Sequence, residues 1–181
     1  MILETKRLVI VEAVEADIEW IIAQESDEEN RKFVWIGTRE EHRAEIADPA
    51  HLLLVFREKD DREKDDGEKV GYALVHLDFK SERFELRRIV VSRKGEGYGR
   101  EAMEALMRHT FETLKFNRFW LDVYPDNAVG IALYESLGLH RDGVLRQNYK
   151  SERGYLDQII YSMLREEYAR RALERAVPPS R

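Results

Sequence analysis

One stretch constrains this chain more than any other. FELRRIVVS (84–92) runs into RKGEGYGR (93–100) and then into an amphipathic segment reaching about residue 115. The first part is rich in β-branched residues and predicts a strand. The last part sets Met103, Leu106, Met107, Phe111 and Leu114 on one face of a helix from roughly 98 to 115, a stripe that belongs to the core. The turn between them alternates Gly95, Gly97 and Gly99. Glycines have no Cβ, so their backbone N–H groups can come close to an anion. The following helix starts with free N–H groups and a positive dipole end. Arg93, Lys94 and Arg100 add positive charge. Together these features predict a phosphate cradle. Taken alone, the segment also reads as an ordinary glycine-rich turn with charged flanks.

The remaining pattern predicts one mixed α/β domain around a single sheet. The 181 residues suit one domain that can bury a core without staples. Residues 7–13 predict a strand, and 14–26 a helix with Val14, Ile18, Ile21 and Ile22 at helical spacing. The stretch to Thr38 is ambiguous. Thr38 and Glu41 have capping-box spacing and open a short helix, which Asp48-Pro49 ends. Residues 51–57 and 70–79 predict strands. The charge-dense EKDDREKDDGEK between them is a solvated hairpin tip or a docking loop. RFWLDVY (118–124) predicts a strand, and Pro125-Asp126-Asn127 introduces a helix that Gly138 stops. Two more strands are expected near 139–149 and 154–163. The tail is expected to form a helical extension that frays at Pro178-Pro179.

Composition removes several classes of function. With no cysteine, disulfides, thiolate zinc sites, iron–sulfur clusters and a cysteine nucleophile are excluded. A formal charge of −6 and the lack of a basic aromatic groove argue against nucleic acid. No run of about 18 apolar residues is present, and the start lacks a signal-peptide pattern. We therefore expect no membrane association and a cytoplasmic protein. The five histidines (His42, His51, His76, His109 and His140) form no HExxH pair, so no catalytic metal is expected. The Walker string GxxxxGK is absent. The dinucleotide fingerprint GxGxxG fails at Arg100 or Ala102, although Asp122 lies where a ribose-binding acid would be expected.

RKGEGYG resembles the pyrophosphate-binding motif of the GNAT superfamily of N-acetyltransferases. That pattern is Gln or Arg, two residues, Gly, one residue, then Gly or Ala. Lys94, Gly97 and Gly99 occupy its positions, lysine being a mild departure. DNAVGIALYESLGL (126–139) is similar to the family's next helix, with Leu139 in place of the usual aromatic residue. ETKRLVIVEA and LRQNYKSERGYLDQIIYSML (145–164) resemble the first strand and the closing hairpin of RimJ/RimL-like members. The resemblance covers about residues 3–165.

It implies a single GNAT-like domain over 1–165, followed by an extension over 166–181. The implied architecture is a mostly antiparallel sheet, splayed at the CoA site and flanked by helices. The implied reaction is direct transfer of an acetyl group from acetyl-CoA to a primary amine, on a protein N-terminus or a small molecule, in a ternary complex. Arg93, Lys94, Gly95, Gly97, Tyr98, Gly99, Arg100 and Asn127 are the implied CoA-binding residues. The backbone of Ile89, Val90 and Val91 at the splay would hold the thioester oxygen, where a donor stabilises developing charge. Tyr134 is the implied general acid, and Glu85 the first candidate base, with Glu12, Asp78 and His76 as alternatives. Asn127 and Tyr134 are seven residues apart and share a helix face, about 10.5 Å apart along the axis.

Each position also has a plainer explanation. Asn127 suits a helix N-cap, Tyr134 a packing residue, and Glu85 a surface carboxylate paired with Arg83 or Arg87. Trp20, Trp35, Tyr149 and Tyr155 either line an acceptor site or pack the core. A homodimer through the C-terminal tail stays open. So does the alternative of a non-catalytic acyl-CoA sensor or interaction module.

Overall fold

The computed structural model describes residues 2–59 and 67–176. Strands β1 (Ile2–Glu4) and β2 (Leu8–Glu12) lead through a 3-10 turn (Glu15–Asp17) to helices α1 (Ile18–Ser26) and α2 (Arg39–Ala47). Then come β3 (His51–Glu58), β4 (Lys69–Asp78), β5 (Arg83–Val91) and α3 (Tyr98–Arg108). The chain continues through β6 (Arg118–Val123), α4 (Ala128–Leu137), β7 (His140–Ser151), β8 (Gly154–Leu164) and α5 (Arg165–Ala176). The strands form one sheet in the order β1-β2-β3-β4-β5-β6-β8-β7. Every neighbouring pair is antiparallel except β5 and β6, which run parallel. This is the mostly antiparallel, helix-flanked sheet that the resemblance implied.

The sheet is buried on both faces at its centre. Leu54 and Phe56 of β3 join the larger core with Met103, Leu106 and Phe111, while Leu53 and Val55 point into a smaller one with Ile21, Tyr72 and Val90. That explains why β3 reads as an unbroken apolar run and not as an alternation. The α3 stripe is core, as its spacing predicted. Thr38 caps α2 reciprocally: the Glu41 N–H donates to Thr38 Oγ1 (3.2 Å) and the Thr38 N–H to Glu41 (2.7 Å). Gly138 ends α4 at φ 83°, the left-handed conformation that glycine adopts without a Cβ penalty.

Some boundaries differ from expectation. The helix expected to reach 115 changes to a π turn over His109–Thr113, where the Thr110 hydroxyl donates back to the Leu106 carbonyl (2.8 Å). Residues 27–38 form turns and coil. Strand β1 was not foreseen, being three residues long and mostly exposed. The hairpin tip over 60–66 and the fraying expected at Pro178-Pro179 lie outside the described residues. No described helix is long and apolar enough to cross a membrane.

A buried polar cluster ties the 27–38 segment to the sheet. Glu25, fully buried, accepts hydrogen bonds from the Gly37 N–H, the Tyr72 hydroxyl and Arg88 Nη1, each at 2.8 Å. His42 lies between Glu25 (3.2 Å) and Glu45 (2.8 Å). Burial opposes a charge on His42, but the two carboxylates outweigh it and raise its pKa to about 9. Burial likewise pushes Glu25 up, yet His42, Arg88 and the Gly37 N–H hold it below its usual range. The Arg88 guanidinium also lies 4.3 Å from the Trp35 ring centre. The cluster thus sets Trp35 over the middle of the sheet.

Candidate active site

The parallel pairing of β5 with β6 ends at Leu86 opposite Leu121, although β5 continues to Val91. Beyond that point its β6-facing edge has no strand partner, so polar backbone groups remain for a ligand. The pairing with β4 shifts register at the same place: Leu74 pairs with Arg88 but Val75 with Leu86, leaving Arg87 as the extra residue. A bulge of this kind bends the strand that carries it and increases its twist. The splay expected from the resemblance is therefore present, and a bulge lies at the same place.

The glycine turn follows directly. Gly95 and Gly97 have φ of 80° and 85°, and Gly97 is the N-cap of α3. The first turn of α3 leaves the Tyr98, Gly99 and Arg100 N–H groups without intrahelical acceptors. A Cβ on Gly95 would meet nothing within 4 Å, so the cradle is open there. Gly99 lies within α3; a Cβ there would sit 3.7 Å from Leu133 and Val91, at ordinary contact distance. Arg7 braces the turn, donating to the Glu96 carbonyl (2.9 Å) and to Glu101 (2.7 Å). This geometry suits a pyrophosphate.

Below the splay lies a cavity of about 330 Å3 that both Glu85 and Tyr134 line, together with Arg87, Ile89, Asp122 and Asn127. That size falls in the range of small-ligand pockets. Tyr134 is buried, and burial, reinforced by the Asp122 charge, holds its phenol protonated well above the ordinary range. Asp122, which the sequence suggested only as a ribose-binding acid, also lines this cavity. Burial raises its pKa, Gln158 partly offsets this, and Glu85 raises it further. Gln158 Nε2 donates to Asp122, while Gln158 Oε1 accepts from Asn148 Nδ2 (2.5 Å). The chain Asn148–Gln158–Asp122 therefore fixes the carboxylate from the β7–β8 side. A usable signal was present. Phe119, Leu121 and Val123 point to the core, so the period-2 alternation puts Trp120, Asp122 and Tyr124 on the opposite face, and all three line the cavity.

Several expected site residues have other roles. The Tyr98 side chain is buried and its hydroxyl donates to Glu58, with Arg7 and Arg93 against its ring, so only its backbone faces the cradle. Val90 points into the smaller core and offers only backbone. Arg93 is paired with Glu58, and Lys94 with Glu29 (2.6 Å), which uses much of the charge expected to meet phosphate. Arg100 bonds Ser136. Asn127 caps α4, accepting from the Gly130 N–H (3.0 Å), and still borders the cavity. Glu85 is paired with Arg87 (3.6 Å), which compensates its charge, and His76 Nδ1 lies 3.4 Å from it. Asp78 is bound to Arg83, and neither it, Glu12 nor His76 lines the cavity. Trp35 and Tyr149 do line it; Trp20 packs on the smaller core, and Tyr155 is exposed. Among the described residues no His, Asp and Glu side chains converge as a metal-binding set.

Comparison with known proteins identifies the family and the fold. The family model of the acetyltransferase (GNAT) domain matches residues 7–140. The uncharacterized N-acetyltransferase p20 of Bacillus licheniformis is 35% identical over 75 residues, 41% of this chain and 42% of that protein. The ribosomal protein bS18-alanine N-acetyltransferase of Salmonella typhimurium (strain LT2) is 39% identical over 67 residues, 37% of this chain and 45% of that protein. The chain thus spans less than half the length of these two relatives. The crystal structure of a GNAT-family acetyltransferase from Bacillus anthracis superposes with a TM-score of 0.74 at 22% identity, covering 92% of this chain and 100% of that one.

Proposed function

This chain belongs to the GNAT acetyltransferase family, and on that footing we propose that it transfers an acetyl group from acetyl-CoA to a primary amine by direct attack in a ternary complex. The observation that carries this reading is one cavity holding Asp122 and Tyr134 directly below the splay of β5, the strand that runs into an open glycine cradle. Acetyl-CoA supplies the acetyl thioester. The turn over 93–100 holds its pyrophosphate through backbone N–H groups. The free edge of β5 over Arg87–Val91 takes the extended pantetheine arm, and one N–H there holds the thioester oxygen as charge develops.

An α-amine has a pKa near 8, so near neutral pH most of it arrives as an ammonium. Asp122 takes its proton. A buried carboxylate with a raised pKa is better matched to that step than an ordinary aspartate. This moves the base role from Glu85, which is paired with Arg87, to Asp122. Tyr134, kept protonated by burial, gives its proton to the departing sulfur. An α-amine acceptor is supported by the relative that acts on ribosomal protein bS18-alanine. The kinship with RimJ/RimL-like members belongs to the same reading.

The test is free-thiol release from acetyl-CoA with a panel of N-terminal peptides, polyamines and amino sugars. Acceptor-dependent release supports the reading. Saturable acetyl-CoA binding with no release from any amine would favour a non-catalytic acyl-CoA sensor.

A further inference from the structure

The cavity around Asp122 continues outward into a second one of about 570 Å3. The two share Val34, Trp35, Tyr124 and Tyr149, so a molecule entering this way runs along the second to reach the first. Their charges differ: the inner one is balanced and the outer one is basic. Asp122 and Glu85 line the inner one together with Arg87 and Arg88, while Arg31, Lys32, Lys150 and Arg153 line the outer one against a single carboxylate, Glu152. In a chain of net charge −6 this excess of cations is local and does not follow from composition.

The outer cations come from two separate elements, the α1–α2 segment and the β7–β8 hairpin. Arg153 is a fixed part of the wall: it bonds Asp126 and the Lys32 carbonyl (2.8 Å), with its guanidinium 5.6 Å from the Tyr124 ring centre. Arg31 is paired with Glu152 at 3.2 Å. Lys32 and Lys150 are exposed and have no carboxylate partner among the described residues. Their charge remains for an incoming group.

Resting on the acetyl-transfer reading, we propose that the acceptor is a peptide whose α-amine sits at Asp122 and whose acidic side chains, in the first residues after it, are held by Lys32 and Lys150. An extended peptide advances about 3.3–3.6 Å per residue, so these side chains follow the amine closely along the trough. A polyamine would bring like charge to the outer cavity and be disfavoured there.

The experiment measures thiol release with Ala-Glu-Glu-Ala, Ala-Lys-Lys-Ala and spermidine, for the wild type and for the double variant Lys32→Glu, Lys150→Glu. The expected result is a kcat/KM for the acidic peptide at least about tenfold above the basic one, the scale of charge steering. The preference should shrink with added salt. The variant should lose or reverse it, with the acetyl-CoA KM within about twofold of wild type. Equal rates, or preference for the basic peptide or spermidine, would overturn this acceptor assignment while leaving acetyl transfer standing. A variant that raises the acetyl-CoA KM with the peptide preference intact would assign the cations to the donor's phosphates, and would also overturn it. No acetylation of any amine would overturn both readings.

Discussion

Replacing Asp122 with Asn separates catalysis from folding in this site. A positioned general base contributes about 10²- to 10⁴-fold, roughly 2.7–5.4 kcal/mol at about 1.36 kcal/mol per decade. The structure favours the lower end, because Glu85 lines the same cavity and can accept a proton through water. We expect kcat to fall about 100-fold. Folding should not suffer. The asparagine Oδ1 still accepts from Gln158, and the substitution removes a carboxylate whose ionised form burial disfavours. A carboxyl with a raised folded-state pKa costs stability as pH rises above its ordinary range, so the variant should melt at or above the wild-type temperature at neutral pH. The assay is thiol release across pH, paired with thermal unfolding and acetyl-CoA titration. The wild-type kcat/KM should fall on the acid side as Asp122 protonates, and the variant should lose that limb. A kcat loss below about fivefold, or a loss matched by weaker acetyl-CoA binding, would refute Asp122 as the base.

Three further outcomes follow from the same geometry. Tyr134→Phe should lower kcat by about 100-fold with acetyl-CoA affinity retained; unchanged turnover would remove Tyr134 from the mechanism. His42 titrates near 9 in the folded protein, above its ordinary 6.5. Its contribution is full below about pH 6.5 and is lost as pH rises through 9, roughly 3 kcal/mol in urea unfolding; a flat profile over that window would contradict the cluster's charge state. Glu25→Ala leaves Arg88 and His42 buried beside an empty site and should cost about 3–5 kcal/mol of stability, seen as a lower urea midpoint.

What was legible in the sequence was local. The alternating glycines, the α3 stripe, the Thr38–Glu41 cap and the Gly138 stop each depend on residues within a turn or two, and each is found in the structure. The splay is different. It coincides with a one-residue bulge at Arg87, set by register between β4 and β5, which spacing within one strand cannot reveal. The Tyr98 side chain illustrates the same limit: it sits in the glycine turn by sequence, but Glu58 on β3 draws its hydroxyl inward. The Glu25 cluster needs α1, α2, β4 and β5 to converge, so each member reads alone as an ordinary polar residue. Asp122 was within reach, since the alternation over 118–123 places it opposite the core. Its position invited comparison with a ribose-binding acid and not with a base.

Acetyl transfer by this chain requires the cradle and the splay to form one acetyl-CoA site. Calorimetric titration of the folded protein with acetyl-CoA, with NADH as the control ligand, tests this most directly. The prediction is saturable one-to-one binding of acetyl-CoA and none of NADH. A folded protein that gives no acetyl-CoA binding, or that binds NADH instead, would contradict it.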